Sequence, residues 1–111
     1  MRILLDHNVP APLRYWLVGH QVETAYERGW AEVSNGDLLK SAEAAGFEVM
    51  VTTDQNIRYQ QNLGARRLAL VVISTNDWTR LRHSKSAVLH ALSGITPGSL
   101  VEIDIPPTLL S

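Results

Sequence analysis

The sequence predicts an α/β fold, a mostly parallel central sheet with helices on both faces, and three observations carry that prediction. Apolar runs rich in branched residues, Ile3-Leu4-Leu5, Val49-Met50-Val51 and Leu68 to Ile73, read as buried strands. Segments with helical signals alternate with these runs, as a parallel sheet requires. Acids follow two of the runs, Asp6 and Asp54. Ligands of open α/β sheets bind beyond the carboxyl ends of the strands, so those acids stand where chemistry is expected.

Taken in order, residues 2–5 form a short strand. Ala11 to Leu17 reads as a helix, with Asn8 able to cap it and Pro10 and Pro12 suited to its first turn. Gly19-His20 breaks the chain before a second strand, Gln21 to Ala25. Glu27 to Val33 is a loop with Gly29 and Trp30. Ser34 to Ala45 is the clearest helix: Leu38, Leu39 and Ala42 make an apolar stripe, and Gly46 sits where a left-handed cap belongs. Glu48 to Thr52 is a strand, and Gln55 to Leu63 reads as a short polar helix. Leu68 to Ile73 is the most apolar strand. Arg80 to Leu92 reads as one helix, Pro97-Gly98 as a turn, and Leu100 to Ile105 as the last strand, ended by Pro106-Pro107. Parallel neighbours are expected to join by right-handed crossovers. No repeat or low-complexity segment is visible, and the final residues read as a loose tail.

A length of 111 residues fits a single domain, 1–111. With no apolar run of about eighteen residues and no signal-peptide pattern, a cytoplasmic location is expected. The absence of cysteine excludes disulfides, thiolate zinc sites and cysteine nucleophiles. Net charge is −1, but Arg58, Arg66, Arg67, Arg80, Arg82 and Lys85 face a single acid, Asp77, between residues 58 and 90. Such a split can set a basic shoulder beside an acidic pocket, as nucleic-acid chemistry needs. A solvated surface is the plain alternative.

Asp6 and Asp54 end strands that bring their carboxylates to one sheet edge if both strands are parallel and central. Asp37 opens a helix that starts near the same edge if the preceding loop folds over it. Three converging carboxylates repel unless protonated or neutralised by a cation. Oxygen ligands of this kind select Mg²⁺ or Mn²⁺, which can activate water for phosphoryl displacement. Each acid also has a structural role open to it. Ser34-Asn35-Gly36-Asp37 reads as a capping box, Asp54 can cap the following segment, and Asp6 can accept turn donors. Asn8, Asn56 and Asn76 accompany the strand ends and can serve as ligands, phosphate donors or turn residues. Ser74 and Thr75, also past a strand, can contact phosphate or cap a helix.

Other chemistries find less support. The four histidines show no H-E-x-x-H pattern, and His83 and His90 read as surface residues. His7 is expected to point away from Asp6, because neighbouring extended residues alternate. There is no P-loop and no G-x-S-x-G elbow. Trp16 reads as core, whereas Trp30 and Trp78, in loops, and more weakly Tyr59, are candidates to stack bases.

Three motifs in order carry a family resemblance: Leu4-Leu5-Asp6-His7-Asn8-Val9-Pro10, then Ser34-Asn35-Gly36-Asp37-Leu38-Leu39, then Val51-Thr52-Thr53-Asp54-Gln55-Asn56. Together they resemble a short PIN-like domain, of an uncharacterised branch related to the toxins of toxin–antitoxin pairs, across nearly the whole chain. The resemblance implies a PIN-like three-layer sandwich and a ribonuclease that binds Mg²⁺ or Mn²⁺ through Asp6, Asp37 and Asp54. It implies RNA as substrate, an antitoxin protein as a partner, and a homodimer as a plausible assembly. On this reading Asn8, Asn56 and Asn76 support the site, and Arg58, Arg66, Arg67, Arg80 and Arg82 position RNA. The chain differs from the superfamily pattern in carrying Asp37 where Glu is common and Asn56 where an acid is common. Asn56 adds weight to the alternative, a non-catalytic PIN-like module that binds RNA or a partner protein.

Overall fold

The structure, a computed structural model, describes residues 1–57 and 67–107. Five strands, β1 (Arg2–Leu5), β2 (Gln21–Thr24), β3 (Val49–Thr52), β4 (Ala69–Ile73) and β5 (Leu100–Ile103), form one sheet in the order β2-β1-β3-β4-β5. Every neighbouring pair is parallel. The α/β prediction therefore holds, and the strand order reverses between β1 and β3, the kind of position where open sheets bind ligands.

Alternation along each strand builds two apolar layers. Ile3, Leu5, Val51, Val71 and Ile73 face the side covered by a 3-10 helix (Ala11–Trp16) and by α2 (Trp78–Leu81) and α3 (Lys85–Ser93). Leu4, Met50, Leu70 and Val72 face α1 (Asn35–Ala44), which buries Leu38, Leu39 and Ala42 against them. Both leucines of α1 are fully buried, each contributing about 1.5–3 kcal/mol. The central strands β1, β3 and β4 are apolar on both faces because both faces are covered.

Helix α1 is held at both ends as its sequence suggests. Ser34 caps it, accepting from the Asp37 N–H at 3.4 Å and donating its hydroxyl to Asp37 Oδ2 at 3.2 Å. At the other end Gly46 takes φ +86°, the Gly46 N–H reaches the Glu43 carbonyl, and the Phe47 N–H reaches the Ala42 carbonyl. This double closure requires a left-handed residue at Gly46.

Several expectations are corrected. The segment from Ala11 is a 3-10 helix without a side-chain cap; Pro10, not Asn8, holds the cap position. The predicted helix over Arg80–Leu92 is two helices, because Asp77 caps a start at Trp78 and Ser84, at φ −116° and ψ 28°, interrupts the turn. No glycine or proline marks that break. Arg80 donates to the carbonyls of Ile105 and Pro106, pinning α2 to the end of β5 while α3 lays Val88 and Leu92 on the sheet.

The crossovers do not all share one hand. β1 leads to β2 and β4 leads to β5 in opposite directions along the sheet, yet both connections cross the same face. With parallel strands, that combination requires opposite hands, so one departs from the expected right-handed rule. The rule describes a twisted strand feeding a right-handed helix that packs back on the sheet; β1 to β2 runs through a 3-10 helix and β4 to β5 through two short helices. Residues 58–63 of the predicted Gln55–Leu63 helix, with Arg58 and Tyr59 among them, Arg66 and the tail from residue 108 lie outside the described residues. No helix among the described residues is long and apolar enough to cross a membrane.

Candidate functional site at the carboxyl edge

The β1–β3 register carries Leu5 opposite Val51, and the Asp6 N–H extends it by donating to the Val51 carbonyl at 2.9 Å. Asp6 therefore stands beside Thr52 on the α1 side of the sheet. Both are buried, Asp6 to 1% and Thr52 to 0% residual exposure. A buried carboxylate needs donors on both oxygens, and Asp6 has them. The Thr52 hydroxyl donates to Oδ2 at 2.7 Å, and the His7 N–H donates to Oδ1 at 2.7 Å. His7 Nδ1 also lies 2.8 Å from Oδ1, which corrects the expectation that His7 points away from Asp6.

Thr52 joins this acid to the next turn, its Oγ1 accepting the Asp54 N–H at 3.1 Å. Asp54 Oδ1 in turn accepts the Asn56 N–H at 2.9 Å. Gln55 ties the same turn to β4, donating through Nε2 to the carbonyls of Thr53 at 2.9 Å and Ile73 at 2.7 Å. Beyond these strand ends lies a depression of about 400 Å³, lined by Asn8, Thr53, Asp54, Ser74, Thr75 and Asn76. Its walls are polar throughout. Ser74 Oγ accepts the Ile105 N–H at 2.8 Å, and Thr75 Oγ1 accepts the Asp77 N–H at 3.0 Å. Neither hydroxyl has an acceptor among the described residues, and each has a proton to donate.

The predicted site is brought together only in part. Asp54, Asn8 and Asn76 share the depression, and Asp6 stands behind it through Thr52. Asn56 contributes its backbone to the Asp54 turn and does not line the depression. Asp37 opens α1, engaged with Ser34, and is also absent from the lining. Among the described residues, no three His, Asp or Glu side chains form a group able to hold a metal ion. The predicted basic shoulder is divided. Arg67 precedes β4 and so lies at the amino edge, opposite the acids; Arg80 is engaged with the carbonyls after β5; Arg82 is exposed.

The tryptophans are packing residues. Trp30 joins the α1-side core edge-on to Phe47, with the Arg28 guanidinium 4.8 Å from its centre. Trp78 packs on Trp16 with centroids 5.2 Å apart. Asp77 caps α2, and its carboxyl is held below the ordinary aspartate range, chiefly because the Thr79 hydroxyl and N–H donate to it.

A second cavity, of about 370 Å³, opens at the amino edge over Phe47, Val49, Ala69 and Ile95, with Glu43 and Arg67 at its margin. It lies far from the strand-end acids. The carboxyl edge is the better candidate because acids, amides and hydroxyls converge there, at the reversal of strand order. The residue that sequence reasoning missed is Thr52. Its signal was faint: a polar residue closing an apolar strand, whose partner only the β1–β3 register reveals.

Comparisons with protein-family models, curated proteins and solved structures found no match for this chain.

Proposed function

We propose that this chain is a divalent-metal-dependent ribonuclease of PIN-like type, acting at the carboxyl edge of β1, β3 and β4. The observation that carries the proposal is the coupling of Asp6 to Asp54 through Thr52, beside a polar depression at the strand reversal. The donors fit a hard cation, since all are carboxylate, amide or hydroxyl oxygens. Asp54, with Asn8 and Asn76, would hold Mg²⁺ or Mn²⁺, with the Asp6 carboxylate behind them. Such an ion supplies an activated water and neutralises charge on the phosphate. The Ser74 and Thr75 hydroxyls each accept one backbone N–H and donate their proton to phosphate oxygens, which accept. Arg82 contacts the RNA backbone as a sequence-independent cation. A toxin role, with an antitoxin as partner, belongs to the same proposal.

The non-catalytic reading keeps two supporting observations. Asp37 is engaged in its own helix cap, and the described residues offer no three-acid cluster. Incubating labelled RNA with native protein and Asp54→Asn, each with Mn²⁺ or with chelator, separates the two. The enzyme reading requires cleavage that depends on both Mn²⁺ and Asp54. RNA retention without cleavage by either protein establishes the binding module instead.

A further inference from the structure

We infer that Thr52 is the positioning residue of this site, with a hydroxyl that sets the Asp54 turn against the Asp6 carboxylate. The inference rests on the metal-site reading above and names what orients it. A threonine hydroxyl has one proton and two lone pairs. The Asp54 N–H can only donate, so Oγ1 accepts from it at 3.1 Å. The hydroxyl proton then goes to Asp6 Oδ2 at 2.7 Å. The direction of both bonds is thereby fixed, without a choice of tautomer or rotor. Asp6 Oδ1 is held independently by the His7 N–H, so the carboxylate plane is set at both oxygens.

Thr52 is fully buried, and its bond to Asp6 lies in the interior. Its placement follows from the pleat. Met50 and Thr52 share the α1 face, Asp6 continues β1 on that same face, and the register sets the two side by side. Gln55 fixes the far side of the Asp54 turn to the last carbonyl of β4. The Asp54 side chain thus enters the depression from a turn anchored on two neighbouring strands. Replacing the hydroxyl by a methyl group of similar volume would leave Oδ2 without its donor and the Asp54 N–H without its acceptor. The fold would keep its packing while the two acids lose their mutual reference.

Thr52→Val, Thr52→Ser and Leu92→Ala separate this role from general destabilisation. Leu92, on α3, lies buried in the apolar layer on the opposite face of the sheet from Thr52. Three quantities are read: Mn²⁺ affinity by water proton relaxation, amide exchange at Asp54, and kcat and KM for RNA cleavage. Orienting groups behind metal ligands typically alter affinity about 10–100-fold. Thr52→Val is expected to weaken Mn²⁺ binding by about 10-fold or more, to speed Asp54 exchange, and to lower kcat with little change in KM. Thr52→Ser restores all three, and Leu92→Ala leaves Mn²⁺ affinity unchanged. Equal Mn²⁺ affinity in native protein and Thr52→Val overturns the inference alone. No Mn²⁺ binding by native protein overturns the metal-site reading and the inference with it. If Thr52→Val does not fold, the native protein decides: an Asp54 amide exchanging at the rate of a free loop overturns the inference.

Discussion

Gly46→Ala tests how far a local backbone requirement is reinforced by a distant side chain. Gly46 sits at φ +86°, and a Cβ built there meets Arg2 Nη1 at 2.8 Å. Left-handed backbone costs an L-residue about 1–2 kcal/mol. The guanidinium cannot withdraw freely, because Nη1 donates to the Ala45 carbonyl at 2.6 Å and the group lies 4.6 Å from the Phe47 ring centre. Hydrogen bonds from charged groups are worth about 1.5–3 kcal/mol. With the Arg2 side chain 35% exposed, about 1 kcal/mol is the appropriate share once solvent screening is included. The sum is about 2–3 kcal/mol, a fall in Tm of roughly 8–15 °C for a chain of this size. Urea and thermal unfolding of Gly46→Ala, Arg2→Ala and the double variant measure it. In the Arg2→Ala background the glycine substitution should cost only the backbone strain, so a coupling of about 1 kcal/mol is expected. Equal costs in both backgrounds would refute the clash, and no cost in either would refute the left-handed cap itself.

Two further outcomes follow from side chains placed by the fold. The outward groups of edge strand β2 are covered: Arg14 donates to the Val22 carbonyl at 2.9 Å, and Glu27 accepts the Thr24 N–H at 2.9 Å while pairing with Arg14 at 2.6 Å. Replacing both residues by alanine should expose a pairing edge and give concentration-dependent self-association in light scattering; a profile identical to that of native protein would refute the covering role. The Asp77 carboxyl has a lowered pKa, so its stabilisation is complete above the ordinary aspartate value of about 3.9 and is lost as pH falls through the lowered native value. The Tm advantage of native protein over Asp77→Asn should therefore shrink on acidification from about pH 5 to pH 2, and a difference independent of pH would contradict the capping geometry.

Local chemistry was legible in the chain. Ser34 and Gly46 mark the two ends of α1 because capping depends on residues within one turn. The runs ending at Leu5, Thr52 and Ile73 announce buried strands because burial on both faces removes polar residues from them. Asp6 and Asp54 stand out because a carboxylate directly after such a run interrupts its pattern. These signals are short-range, and they suffice for an α/β sheet with acids at its carboxyl edge.

Tertiary structure decided what depends on which strand lies beside which. The order β2-β1-β3-β4-β5 makes β1 and β3 neighbours across the intervening residues 6–48, and only their register pairs Asp6 with Thr52. It also set Arg67 at the opposite edge from the acids, divided the Arg80–Leu92 segment through the anchoring of Arg80, and packed Trp30 and Trp78, half-buried, against the core. Asp37 shows the boundary most clearly. Its capping role can be read within four residues of sequence, whereas its distance from the other acids is set by packing between α1 and the sheet. The two acids that follow the strands were visible from the start; the hydroxyl that couples them became visible only when β1 and β3 were paired.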